Sequence, residues 1–309
     1  MPLAIGIALV LLAFLVYQYV SKSYEKSNNN YPTGPKPEYI FFNDVPTSKA
    51  WLTYNKMVET YGPIFRLKTP KDDIVVVSDR KVVEDLLEKR SRVYSDRPAM
   101  SVFELAGWSW NLAFMPYADR WRRHRRIMHQ HFRPQAAVRY RHHELDNVHH
   151  LLRSLLDHPV DFWDHLRMFV SSAPLSLIYG YQAKELDDPF ITTPERAGLL
   201  LSNIVNFGGA IADVFPVLHY LPSWFPGAGF KRHLSAAREM TQEMRNAPAL
   251  YCMKQMQDGA SHDCLLANLL REQEQANHVP TIDQETLINV ATISYVGKRS
   301  TPCHGDLTI

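Results

Sequence analysis

Asp119-Arg120-Trp121-Arg122-Arg123-His124-Arg125-Arg126-Ile127-Met128-His129-Gln130-His131-Phe132-Arg133-Pro134 is the stretch from which the rest of the chain can be understood. Asp119 is a good N-cap and Pro134 lies where a helix stops, so the spacing predicts one helix between them. At about 100° per residue, Trp121, Arg125, Met128 and Phe132 fall on one narrow stripe, and Arg122, Arg126, His129 and Arg133 on a second. The first stripe reads as an inward face, with a guanidinium one turn beyond an indole among apolar residues. A buried guanidinium needs an anion. Its partner is either an Asp or Glu of this chain, or a ligand carboxylate or phosphate held by the Arg fork with the indole N–H as second donor. The second stripe is a cationic face, open to water or to an acidic partner.

The 309 residues carry a formal charge of +2, with 46% hydrophobic and 21% charged residues, which describes a globular chain long enough for one large domain. So weak a charge, with no basic or aromatic platform beside the helix, argues against nucleic acid as a partner. Cys252, Cys264 and Cys303 are too few and too late for a disulfide framework and lack zinc-ligand spacing, so a reducing compartment is expected. His142, His143, His149 and His150 have no acidic or Cys partner at ligand spacing; they read as surface residues, and no metal site is expected.

Residues 3–20 are apolar except for Gln18, just long enough to span a bilayer, with a buried core helix as the alternative. No basic residue precedes the run and no small-residue cleavage site follows it, which disfavours a cleaved signal peptide. Lys22 and Lys26 follow it, so the expectation is a single-pass membrane anchor with the bulk of the chain in the cytosol. Residues 21–37 are polar and then proline-rich, a stiff hinge between the anchor and a domain over 38–297.

Trp51 to Tyr61 reads as an amphipathic helix closed by Gly62-Pro63. The apolar runs Ile64 to Leu67 and Ile74 to Val77, joined by Thr69-Pro70-Lys71-Asp72-Asp73, read as a hairpin. Met100 to Met115 is a loop rich in Trp, Phe and Leu; such a loop folds over a cavity or packs on the core, which makes Phe103 and Phe114 candidates for lining a pocket. Helices are expected over 142–156, 161–179, 194–206, 230–257 and 262–275, leaving room for a small sheet only. Phe215 to Phe225, with interleaved prolines, is a greasy connection, either buried or in contact with a membrane or partner. Thr281 to Gly297 reads as a long buried helix capped by Asp283.

These pieces resemble the cytochromes P-450, in the microsomal and fungal style. Pro116 to Arg126 is similar to the family's WxxxR helix, Tyr61-Gly62-Pro63-Ile64-Phe65 to the opening of its domain, and Tyr31 to Pro37 to its proline-rich hinge. The resemblance implies a mainly α fold with a small β-sheet and a haem-dependent monooxygenase acting on a small apolar molecule with O2. Trp121 and Arg125 would bind a haem propionate, and Phe103, Phe114 and Phe207 would line the substrate pocket. Arg122, Arg126 and Arg133 would face an NADPH-dependent P-450 reductase, and the chain would sit in the endoplasmic reticulum membrane. Beyond Gly297 the pattern stops: residues 298–309 match neither the family's small-Gly-x-acid-Thr motif, nor ExxR, nor its Cys loop. From the sequence, then, this is a P-450 fold truncated within its long central helix and inactive as such; no catalytic residue or metal ligand is assigned. The alternatives are a non-catalytic membrane-tethered helical protein, or the product of a shifted frame or retained intron.

Overall fold

The computed structural model describes residues 31–36, 43, 45–46, 49–69, 72–205, 230–259, 263–275 and 282–297. Two compact units divide the chain, 1–95 and 96–309.

In the first unit, α1 (Ala50–Tyr61) stops at Gly62, whose φ of 89° favours glycine and whose N–H donates to the Val58 carbonyl. Strands β1 (Ile64–Lys68) and β2 (Asp73–Val77) pair antiparallel, Ile64 opposite Val77 and Lys68 opposite Asp73. Phe65, Arg66 and Leu67 are consecutive and all buried, so β1 is covered on both faces. Phe65 packs near the rings of Tyr54 and Tyr61, 6.2 and 6.4 Å away. Arg66 donates from Nε and Nη2 to the two oxygens of Asp73, at 2.7 and 2.8 Å, and lies over the Tyr31 ring. Asn43 donates to the Lys36 carbonyl and accepts the Lys68 N–H, tying the proline-rich segment to β1. Asp79 then caps a broken helix running through Arg80–Val83, Glu84–Lys89 and Ser91–Tyr94.

The longer helices of the second unit are α2 (Asp119–Phe132), α3 (Arg141–Asp157), α4 (Phe162–Tyr179), α5 (Pro189–Ile204), α6 (Phe230–Gln257), α7 (Leu265–Gln275) and α8 (Gln284–Val296). Helix α8 is the axis. Leu287, Val290, Ala291, Ile293 and Tyr295 are buried, as are Thr286, Asn289 and Thr292, so it is covered nearly all round. Asn289 Oδ1 accepts from Arg245 Nη1 of α6 at 3.4 Å, and Thr286 and Thr292 are answered locally. The Asp283 carboxylate accepts the Thr286 N–H at 2.6 Å, and Thr292 Oγ1 donates to the Ile288 carbonyl. With that proton spent, the buried Tyr179 hydroxyl donates to Thr292 Oγ1 at 3.3 Å. One core cluster joins α8 to α4, α7 and Ile127 of α2; a second joins Ile293 to α5, α6 and the aromatic loop. Cys252 on α6 and Cys264 ahead of α7 are buried free thiols 3.6 Å apart.

Two expectations are corrected here: a transmembrane helix as part of the fold, and a single-pass location in the endoplasmic reticulum membrane. Among the described residues no helix is long and apolar enough to cross a membrane. The two that reach 18 residues, α4 and α6, are interrupted by charge at Asp164 and Arg167 and at Arg238, Glu239, Glu243 and Arg245. Residues 3–20, which carried that expectation, lie outside the described residues, as do Phe215 to Phe225, residues 298–309 and most of the hinge.

Candidate functional site

Helix α2 begins at Asp119, but Asp119 is not its cap: Ala118 holds that position with no side-chain bond. The Asp119 carboxylate instead accepts from Arg122 Nη1 at 2.7 Å, which holds its pKa below the ordinary carboxylate value. The helix stops where expected, because Pro134 forces Arg133 to an extended ψ of 153°.

Its inward stripe differs from the expected one. His124, Ile127 and His131 are buried, at 0, 3 and 6% exposure, while Met128 and Phe132 are half-buried beside them. Trp121 is half-buried and Arg125 is exposed. His124 Nδ1–H donates to the Arg120 carbonyl at 2.8 Å, leaving Nε2 an acceptor with no partner among the described residues. Burial pushes the His124 pKa down, so the ring stays neutral. His131 is shifted the same way by burial, with Glu272, 3.7 Å off, acting against the shift.

Arg125 is therefore not the buried cation expected from the spacing. Among the described residues it has no acidic partner, and the Trp121 indole N–H one turn earlier has no acceptor. Trp121 is steadied by the Tyr117 ring, 5.0 Å away at 56°. The pair thus offers an indole donor and a guanidinium fork to an outside anion. Neighbouring cations differ. Arg122 is spent on Asp119 and lies 5.1 Å over Tyr117, and Arg120 approaches Glu285 of α8 at 4.0 Å. Arg126 and Arg133 are exposed on the outer face.

The segment before α2 opens with a short helix (Ser101–Leu105) where a loop was expected, and it is a stack of rings. Phe103 and Phe114 lie 3.9 Å apart at 12°, Trp108 and Trp110 5.6 Å apart at 18°, and Trp108 meets Phe114 edge-on at 6.3 Å. Both indoles are buried, and neither N–H has a partner among the described residues. Gly107, at φ 77°, makes the turn just ahead of them. Met128 of α2 and Val296 of α8 border both core clusters, so the stack lies where α2 and α8 meet. Phe207 lies outside the described residues. The sequence reading missed His124, His131, Trp108 and Trp110. The two indoles were visible as the bulkiest side chains of an apolar loop; the histidines gave no signal beyond helical spacing.

A mainly helical chain with one small hairpin among its described residues fits the fold of the cytochromes P-450. The cytochrome P-450 family model matches residues 32–297, and the chain belongs to that family. It is 33% identical over 294 residues to cytochrome P-450 monooxygenase ppsD of Aspergillus oryzae, which covers 93% of this chain and 55% of that protein. Against cytochrome P-450 monooxygenase COX2 of Coprinopsis cinerea it is 31% identical over 272 residues, 86% of this chain and 51% of the relative. For cytochrome P-450 monooxygenase ple1 of Rhodocybe pseudopiperita the figures are 30% over 297 residues, 95% and 57%. The chain spans about half the length of the curated relatives it matches.

Proposed function

We propose that residues 38–297 form the N-terminal part of a haem-dependent monooxygenase domain, with Trp121 and Arg125 binding a haem propionate. One observation carries this: two donors one turn apart on α2, without partners among the described residues, beside a buried helix and an aromatic loop. The donor set suits a carboxylate, since an indole N–H and a planar guanidinium can each take one oxygen. Haem, when bound, supplies O2 activation at its iron. The chain's own part is to anchor and to exclude water. Neutral His124 and Ile127 fix α2 against the core, so Trp121 and Arg125 are held from behind. The Phe103, Phe114, Trp108 and Trp110 stack offers a dry wall for a small apolar substrate.

The exposed Arg126 and Arg133, with Arg122, form the face offered to an acidic reductase; Arg122 contributes least because Asp119 already neutralises it.

Haemin titration of the purified chain, followed by its Soret band, tests the propionate assignment. Arg125→Ala removes a charge-assisted bond worth about 1.5 to 3 kcal/mol and weakens binding accordingly, while Arg126→Ala leaves it unchanged. Equal affinities in the two variants, or no haemin binding by the parent chain, would overturn it.

A further inference from the structure

The second unit brings together three side chains that sequence spacing keeps apart. His142 and His143 open α3, and Asp263 stands just ahead of α7, 120 residues after His143. One ring nitrogen from each histidine and one Asp263 carboxylate oxygen lie within 4.8 Å of one another. We propose that His142, His143 and Asp263 form a site for one divalent ion of the zinc class, clamping the first turn of α3 to the start of α7.

Distances and supports favour an ion over simple pairing. His142 Nε2 and Asp263 Oδ2 are 3.8 Å apart, too far for a hydrogen bond. Two ligands bound to one tetrahedral ion at its usual bond lengths stand about 3.4 Å apart, so the three ligand atoms, within 4.8 Å of one another, close on an ion by rotamer changes. The two imidazoles lie side by side, 4.1 Å between centroids at 38°. Each of two ligands is already held from behind. His143 Nε2–H donates to the Asp263 main-chain carbonyl at 2.6 Å, which leaves the lone pair on Nδ1, as in ligating histidines whose second nitrogen bonds a carbonyl. Asp263 Oδ1 accepts from Asn268 Nδ2 at 2.8 Å, leaving Oδ2 toward His142, and Arg271 in turn donates to Asn268 Oδ1. Two imidazoles and one carboxylate suit zinc and its transition-metal neighbours better than calcium or magnesium. His142 and Asp263 are exposed, so water completes the coordination.

The test is zinc titration of the purified full chain against a chromogenic chelator, with the thermal midpoint read in parallel. We expect one zinc per chain at micromolar affinity and a midpoint raised by zinc. His142→Ala and Asp263→Asn should each weaken binding at least about tenfold and abolish the midpoint shift; Asn268→Ala, which removes no ligand, should weaken it by roughly tenfold. Absence of saturable binding would end the proposal, as would His142→Ala binding zinc as tightly as the parent, which would place the ion on other histidines. All three positions lie at exposed or half-buried surface, and unchanged far-UV circular dichroism of the zinc-free variants confirms that the readout is binding.

Discussion

Arg66 on β1 and Arg125 on α2 show two ways for one chain to place a guanidinium. Arg66 is 6% exposed and fully answered: both oxygens of Asp73, a tyrosine ring and a covering segment surround it. Arg125 is exposed, and among the described residues nothing answers it. The first is structural, because removing its partner strands a buried charge; the second is open, because the fold spends nothing on it. A cation's role is thus decided by whether the chain supplies its anion.

The largest effect should come from breaking the closed case. Asp73→Ala leaves Arg66 buried without a counter-charge and should cost about 3 kcal/mol in urea unfolding. A loss under about 1 kcal/mol would mean that water or Tyr31 already satisfies the guanidinium. For the open case the sign of interest is reversed: Arg125→Ala should reduce haemin affinity while shifting stability by no more than about 0.5 kcal/mol. A large destabilisation would show that Arg125 has an internal partner after all.

Between these extremes lies the cap of the central helix. Asp283→Ala removes the acceptor of the Thr286 N–H and should cost about 1 kcal/mol, read as a lower urea midpoint at unchanged slope. The smallest expected effect is on pH dependence. Burial lowers the pKa of His124 and His131 below the ordinary 6.5, so the unfolded chain binds more protons than the folded one as pH falls. Their contribution is fully present above 6.5 and is lost as pH falls below it. His124→Gln should flatten this acid loss; an unchanged slope would assign it to other groups.

Much of the fold was legible because its signals are local. The hairpin follows from two apolar runs around Thr69 to Asp73, α6 from an unbroken periodic run over 230–257, and the start of α8 from Asp283. Helix α2 was legible as a helix but not by its inward stripe. Positions 121, 125, 128 and 132 and positions 124, 127 and 131 are both helical stripes, and hydrophobicity favoured the one with Trp, Met and Phe. Histidine counts as polar in such a reading, yet a neutral imidazole bonded to its own backbone, as His124 is to Arg120, buries readily. The start of α5 missed by several residues, since a proline at the first helical position, Pro189, is as acceptable as the internal Pro194. The His142, His143 and Asp263 cluster was illegible for another reason: only the tertiary fold, which brings the first turn of α3 beside the segment ahead of α7, makes neighbours of residues 120 positions apart.

The two thiols on α6 and ahead of α7 have a practical consequence. Cys252 and Cys264 are 2% and 0% exposed, so an alkylating reagent can reach them only when that corner of the molecule opens. Their modification rate is therefore a clock for local unfolding. If they are labelled only along with global denaturation, α6 and α7 belong to the last part of the molecule to open; if they react earlier, the corner is an independent foldon.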